Sequence, residues 1–573
     1  MAPGQSPLEV LKGSSRFLRG EIARELAEDT DSFSKDSVQL LKHHGTYQQD
    51  DRDARQAARA EGRPGKKFIM MVRTRVPGGV MTAEQFLAEL ELADLLGEGT
   101  IRLTTRQSIQ HHGVPKGNLR ELIRRIHQAG LTTLAACGDV VRNVMACPAP
   151  FESPLHGQVG ELCQRLAEHF KPRTPAYREI WLQDATTGEK ELVSGGEADV
   201  EPIYGSTYLP RKFKIAAGFC HDNCVDLYTH DLGFLAVVRD ESVVGYNVVV
   251  GGGQGVTPSK KETFPALGKR MAFVTSEEAV EVAEAVVSVQ RDHGNREDRK
   301  LARLKYLIHR WGLDAFRSEV EKRLGRRLWG PWDDDVFGFD DHLGWHAQGN
   351  GRWFYGLNIE NGRIADRDPV RLKSALTQIC RELAPGIRLT SHQSILFTDL
   401  DDEQCQRLTS ILKSHYVPLS ESISNARRWS MACVAWPTCG LAITESERAL
   451  PGLIDELEVE LAKLGLSSEA FTIRMTGCPN GCARPYNSDI GIVGKARDKY
   501  TLLVGGQRLG KRLNFIHKEM VPRDEIVSSL VPLFIFFKLE REEGETFGDF
   551  CHRQGNERLL RFADDYRHGR VQQ

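Results

Sequence analysis

No run of about 18 apolar residues occurs anywhere in this chain, so no membrane-spanning helix is expected. The opening MAPGQSPLEVLKGSSRF lacks the basic-then-apolar layout of a secretory leader, which makes the cytoplasm the expected compartment. An excess of one charge is missing too: 76 Lys and Arg stand against 78 Asp and Glu, a net charge of -2. That balance excludes a general attraction to nucleic acid or to an acidic membrane, so any basic site must be local. There is no G-x-G-x-x-G opening a strand-and-helix unit either. VVVGGGQG follows an apolar run but lacks the spacing, so the chain carries no recognisable dinucleotide site of its own.

What is present is a large globular chain. Its 573 residues, 40% of them hydrophobic, suffice for roughly two to four domains with real cores. Residues 1 to about 65 are polar and charged and read as an extension that wraps or docks. From Phe68 onward, β-rich runs (FIMMVRTRV, TIRLTTRQSIQHHGV) alternate with amphipathic helical stretches (TAEQFLAELELADLL, GNLRELIRRIHQAGL), which predicts a mixed α/β sheet-and-helix layer. FLAVVRDESVVGYNVVVGGG predicts further strands, and a long helical segment is expected through SEEAVEVAEAVVSVQRD and LARLKYLIHRWG.

Of the 12 cysteines, four form two close pairs: Cys433 and Cys439 in MACVAWPTCG, and Cys478 and Cys482 in TGCPNGCARP. Two short loops closing on each other can present four thiolates to iron or to zinc, and both metals fit at this level. In a reducing compartment such cysteines are ligands or thiols rather than disulfides. Cys163, Cys380, Cys405 and Cys551 read as small buried hydrophobes.

The chain also repeats itself. IRLTTRQSI at 101–109 returns as IRLTSHQSI at 387–395, and MAC at 145–147 returns at 431–433, both displaced by 286 positions. FKIAAGFCHDNCVDLYTHDLG aligns with FTIRMTGCPNGCARPYNSDIG at an offset of 258, and VGG at 250–252 recurs at 504–506. Two halves related by a pseudo-twofold axis are expected, with the functional centre where they meet. The copies differ. Cys147 matches Cys433, but Ser153 stands opposite Cys439, so the first half has an incomplete thiol set. Cys220 and Cys224 fall opposite Cys478 and Cys482 and read as a relic pair, with a weak second metal site as the alternative.

Cations concentrate in the first half: Arg73 and Arg75 before PGG, Arg102 and Arg106 on the repeated strand, Arg142 before NVMAC, and Arg211, Lys212 and Lys214 in YLPRKFK. Convergence of these segments on the thiol loops would make a positive pocket for an anionic substrate, a polycarboxylate cofactor, or both.

At these residues the sequence resembles the siroheme-containing sulfite and nitrite reductases, and within them the haemoproteins of assimilatory sulfite reduction. The resemblance runs through HGTYQQDDRD, RTRVPGGV, IRLTTRQSIQHHG, VRNVMAC, TYLPRKFK, VVVGGG, QRDHGNREDRK, IENGRI, CVAWPTC and TGCPNGC. It implies a three-lobed, duplicated fold: an extension over 1–65, ferredoxin-like half-domains over 66–136 and 335–415, and α/β domains over 137–334 and 416–573. It further implies a 4Fe-4S cluster on Cys433, Cys439, Cys478 and Cys482, with Cys482 also ligating the siroheme iron. Arg102, Arg106, Arg142 and Arg211 are the implied partners of siroheme's carboxylates. Arg73, Arg142, Lys212 and Lys214 are the implied substrate cations, and lysine at 214, where the nitrite enzymes commonly carry asparagine, favours sulfite. The implied reaction is six-electron reduction of sulfite to sulfide, in sulfur assimilation and cysteine biosynthesis. A flavoprotein fed by NADPH is the expected donor and ferredoxin the alternative, since GCARPY looks more like the ferredoxin-dependent branch. A siroheme nitrite reductase and a zinc-stabilised binding protein are the competing readings.

Overall fold

Two copies of one strand-and-helix pattern build the centre of the molecule. In the computed structural model, which describes residues 5–63, 65–173, 179–195 and 200–570, the first copy comprises strand Phe68–Thr74, helix Ala83–Leu96, strands Ile101–Leu103 and Ile109–Val114, and helix Leu119–Gln128. The second comprises strand Trp353–Leu357, helix Leu372–Leu383, strands Gly386–Leu389 and Ile395–Leu400, and helix Asp402–Ser414. Each copy adds an antiparallel edge strand in front, Thr46–Asp50 in one and Gly344–Ala347 in the other. The polar extension thus supplies a strand to the first sheet.

Each sheet is completed by its neighbour. Val80–Met81 from the first copy pairs with Gly386–Leu389, and Arg363–Ile364 from the second pairs with Ile101–Leu103. One apolar core, containing Phe86, Leu90, Ile101, Tyr355, Leu376 and Ile395, runs through both copies. Local sequence explains the helices. Phe86, Leu90 and Ala93 recur at helical spacing on a buried face. Thr82 with Gln85, and Asp401 with Gln404, form reciprocal capping boxes that satisfy free N–H groups at the two helix starts.

The repeated IRLT-x-x-QSI motif makes the same tight turn twice. The amide of Thr104 donates to the Ser108 carbonyl at 2.9 Å, and that of Thr390 to Ser394 at 2.9 Å. Gln107 and Gln393 both sit at positive φ, +52° and +65°, where glycine is the usual residue. Their side-chain amides account for the choice: Gln107 Nε2 donates to the carbonyls of Ala146 (2.8 Å) and Leu389 (3.0 Å), and Gln393 Nε2 to that of Asn361 (3.2 Å). Buried carbonyls that a glycine would leave bare are satisfied in this way.

Two α/β lobes flank this centre, each with its own core. The first has strands Ile215–Phe219, Leu232–Arg239, Ser242–Val250 and Lys269–Val274; the second has Ser430–Ala432, Ile473–Thr476, Ile490–Ala496, Lys499–Val504 and Phe515–Pro522. Ile215–Phe219 runs parallel to Leu232–Arg239 just as Ile473–Thr476 runs parallel to Ile490–Ala496. The long helical segment expected after residue 275 is broken into helices Ala279–His293 and Leu304–Trp311. Between them QRDHGNREDRK turns its arginines inward, Arg296 to Glu9 and Arg299 to Asp139, and these ion pairs outweigh helical continuity. No helix among the described residues is long and apolar enough to cross a membrane.

Asp226 and Arg484 occupy equivalent positions of the 258-residue repeat, have the same left-handed backbone (φ +51° and +55°), and pair with each other at 2.5 Å. Arg474 closes on the same Asp226 carboxylate at 2.8 Å. All three side chains are buried. Replacing Asp226 by alanine leaves two buried guanidinium groups uncompensated, and a loss of about 3–5 kcal/mol in denaturant unfolding is expected; an unchanged midpoint would show that the pair contributes no net stability.

Candidate active site

The four expected cysteines are gathered by two adjacent parallel strands. Ser430–Ala432 pairs with Ile473–Thr476, and both run out at the same edge, where Cys433 and Cys478 begin the following loops. The Cys433 amide extends the ladder by donating to Met475 O (3.1 Å), and the Gly477 amide points at Cys433 Sγ (3.4 Å). Asn480 Nδ2 approaches Cys478 Sγ at 3.5 Å. Gly477 is required here, because a Cβ would lie 2.4 Å from Thr444 O and 2.5 Å from the Ala435 side chain. From the extension, Arg52 lies over the Trp436 ring and donates to the carbonyls of Cys439 and, at 2.9 Å, Ala442, clasping the first thiol loop.

Burial is the main cause that raises the pKa of Cys433, Cys439 and Cys478, the last to about 12, and the Cys482 thiol is the next. Four thiolates so placed repel one another and are stable together only around a cationic centre. Among the described residues, the one group of three or more donors whose atoms all lie within 4.8 Å of one another is elsewhere, at Cys147, Asp222, Cys224 and His342. A multinuclear iron–sulfur cluster fits this donor set. Cys482 differs from its companions in being exposed.

Beside Cys482 lies the cation recess. Thr105, in the turn of the repeated strand, donates its hydroxyl to Cys482 O (3.0 Å). Burial, followed by the charges of Arg106 and Arg303, holds the Lys214 ammonium well below its ordinary pKa, and Cys482 and Asp231 oppose that shift. Lys212 is likewise depressed by burial and by Arg211, Arg142, Arg303 and Lys214. Burial and Arg142 bring Arg106 down to about 9, and burial and Arg299 bring Arg211 to about 10. These mutual effects place Arg106, Arg142, Arg211, Lys212 and Lys214 around one space. Arg73 belongs to the same set through its effect on Arg106.

Among the described residues, none of these six cations has a carboxylate within ion-pair distance, whereas their neighbours do: Arg303 pairs with Asp231 (2.8 Å) and Arg299 with Asp139. Arg106 Nε and Nη1 and Arg73 Nε are buried without an acceptor. Cations left unmatched in this way, two of them buried and four half-buried, suit a polyanionic ligand. Arg102 stands apart. It is buried against Glu447 (2.8 Å) and donates to Ala432 O (2.8 Å), so it ties the central sheet to the thiol-bearing strand.

Several site residues escape sequence reasoning. Asp231 pairs with Arg303 and accepts the Lys214 amide (2.9 Å), fixing the strand start that carries the lysine. Arg484, two residues after Cys482, donates to Thr105 O (3.1 Å) and Ser391 O (3.1 Å) besides Asp226. VVVGGGQG serves as a backbone platform for the second thiol loop: the Val256 amide donates to Pro479 O (2.9 Å), and Gln254 Oε1 accepts the Tyr486 amide (3.1 Å). The available signal was position, since Asp231 and Arg484 lie inside the aligned repeat segments. Cys163, Cys380 and Cys551 are buried as expected, while Cys405 is only half-buried.

Comparison with known proteins agrees with this geometry. The pattern of the nitrite and sulphite reductase 4Fe-4S domain matches residues 163–328 and 424–569, and that of the nitrite/sulfite reductase ferredoxin-like half domain matches 62–129 and 346–415. A protein of Staphylococcus haemolyticus named sulfite reductase (NADPH) hemoprotein beta-component is 43% identical over 549 residues, 96% of this chain and 95% of that one. A protein of the same name from Shewanella sp. MR-4 is 44% identical, covering 96% of both. The solved structure of the Mycobacterium tuberculosis NirA protein superimposes with a TM-score of 0.77 at 25% identity over 96% of each chain.

Gly477→Ala is expected to disturb the thiol loops without touching a thiol and to lower the iron content of the purified chain. Gly440→Ala is the control, since nothing lies within 4 Å of its Cβ position; equal iron in both variants would contradict the packing argument.

Proposed function

The chain belongs to the nitrite and sulphite reductase family, and on that premise we infer that it is the haemoprotein of an assimilatory sulfite reductase, reducing sulfite to sulfide with six electrons at a siroheme joined to a 4Fe-4S cluster. The observation that carries this reading is the meeting, at the exposed Cys482, of a thiol quartet and a recess of cations without carboxylate partners. Relatives bearing the sulfite reductase name are NADPH-linked beta-components, which supports a flavoprotein partner as the electron source.

When bound, siroheme and the cluster supply the iron and the electrons for reduction of the substrate. In this reading Cys433, Cys439, Cys478 and Cys482 would hold the cluster, and the exposed Cys482 would be the thiol shared with siroheme. Arg106, Arg142 and Arg211 would meet the carboxylates of siroheme, with Arg102 anchoring the strand from which Arg106 follows. Arg73, Arg142, Lys212 and Lys214 surround the substrate oxygens. The two kinds of cation have different tasks. Guanidinium groups keep their charge and orient the oxyanion through forked hydrogen bonds. Lys212 and Lys214, whose pKa values are depressed by burial and by neighbouring cations, give up protons more readily than ordinary lysines and suit proton delivery as water departs. Asp231, by holding the Lys214 backbone, positions that donor.

Cys482→Ser is expected to abolish sulfite reduction with any donor, including a small-molecule reductant that bypasses the partner protein; retained turnover would sink the shared-thiolate reading. Lys214→Asn is expected to lower sulfite turnover by roughly 10²-fold, a typical contribution of a positioned proton donor, while sparing nitrite turnover. Steady-state rates with both anions under one artificial donor check this, and equal losses would show that Lys214 does not select between them.

A further inference from the structure

The first half carries its own constellation of soft ligands at the place that mirrors the thiol quartet. Cys147 is the repeat mate of Cys433, and Cys224 is the mate of Cys482. Cys220, which reads with Cys224 as a relic pair, stands outside this group, its Sγ directed to Ala236 O (3.4 Å). Ser153, opposite Cys439, instead caps helix Pro154–His169. The two remaining sulfurs are joined by Asp222 and by His342, and the four donor atoms all lie within 4.8 Å of one another.

We propose that Cys147 Sγ, Cys224 Sγ, Asp222 Oδ2 and His342 Nε2 form a structural zinc site. Cys147 Sγ lies 3.0 Å from Asp222 Oδ2 and 3.5 Å from His342 Nε2, and these last two atoms are 3.1 Å apart. Zinc bonds of ~2.3 Å to sulfur and ~2.0–2.1 Å to nitrogen or oxygen give tetrahedral edges of ~3.3–3.6 Å. The Cys147–His342 and His342–Asp222 separations lie within about 0.3 Å of their edges, and the Cys147–Asp222 separation is about 0.6 Å shorter than its edge, so the donors need only open slightly to admit the ion. Two thiolates, an imidazole and a carboxylate are borderline-soft donors that suit zinc, and four protein ligands leave no open position, as a structural site requires.

The supporting contacts orient the donors. Asp222 Oδ1 accepts the amides of Cys224 (3.0 Å) and Asp340 (3.1 Å), which leaves Oδ2 to face the sulfur and the imidazole. The His342 amide is in turn held by Asp340 Oδ1 (2.9 Å). Such outer contacts are what fixes metal-ligand geometry. Asp222, Cys224 and His342 are almost fully buried, while Cys147 borders a cavity of about 620 Å³ that offers a route for the ion.

The ligands come from three separated segments. Cys147 follows the arginine-bearing segment of Arg142, Asp222 and Cys224 lie in the loop after strand Ile215–Phe219, and His342 belongs to the connection between the two halves. That connection is already laced to the loop, Phe337 N donating to Cys220 O (2.7 Å) and Asn223 N to Gly338 O (3.0 Å). Zinc therefore staples the inter-half connection to the lobe that bears Lys212 and Lys214. This assignment does not depend on which anion the enzyme reduces.

Metal analysis of the purified holoenzyme tests it. Close to one zinc per chain is expected beside the iron, with zinc-edge X-ray absorption showing two sulfur neighbours at ~2.3 Å and two lighter ones at ~2.0 Å. Cys147→Ser and His342→Gln should each lose most of the zinc, keep the iron content, and unfold at a lower temperature. A wild-type protein without zinc, zinc that persists in both variants, or a stoichiometric Cys147–Cys224 disulfide in unreduced peptide maps would overturn the proposal. If neither variant folds, the zinc content and absorption spectrum of the wild-type protein decide alone.

Discussion

The ion pair between Asp226 and Arg484 is the contact on which the arrangement turns. In a symmetric dimer a residue on the twofold axis meets its own copy, and a charged residue there would meet its like. Duplication within one chain removes that restriction. The two equivalent positions carry opposite charges and the same left-handed backbone, and they neutralise each other at the centre of the protein. Arg484 then reaches the turns of both repeated strands through Thr105 and Ser391. Three segments of the fold are registered against one guanidinium, two residues from Cys482. The placement of the exposed thiol relative to the cation recess is therefore set by the pseudo-axis itself.

Charge matching sorts the arginines and lysines into two classes. Arg102, Arg299, Arg303 and Arg363 lie against carboxylates and serve as ties between segments. Arg73, Arg106, Arg142, Arg211, Lys212 and Lys214 have no such partner among the described residues, and burial with neighbouring cations depresses Arg106, Arg211, Lys212 and Lys214. A protein retains so close a group of like charges, partly withdrawn from water, where a ligand compensates them. Composition could not reveal this, because a chain with a net charge of -2 hides a concentrated positive site behind acidic surface elsewhere.

Much of the fold was legible from the residues. The repeat of IRLT-x-x-QSI displayed the duplication, and the period of Phe86, Leu90 and Ala93 displayed the helix they form. The C-x3-C spacing of Cys478 and Cys482 displayed the thiol loop. Other features lacked a local signal. The exchange of short strands between the halves depends on Val80–Met81 and Arg363–Ile364, each too short to carry a pattern. Arg102 looked like any other cation on the repeated strand until Glu447, hundreds of residues away, was seen against it. Spacing set Cys224 beside Cys220 and could not show that Cys220 Sγ is directed to Ala236 O, while Asp222 and His342 approach from the loop's own turn and from a distant connection. Long-range partners are what periodicity and spacing cannot report.

The exchanged strands bear on how the chain is made. A ribosome delivers it from the N-terminus, yet the sheet begun by Thr46–Asp50 is finished only by Arg363–Ile364. At typical synthesis rates the strand Ile101–Leu103 waits ~10–50 s for that partner, with one edge unpaired. Neither half can complete its central sheet alone. Division of the chain between the repeats would yield two pieces with open sheet edges, so the exchanged strands bind the two copies into a single unit of assembly.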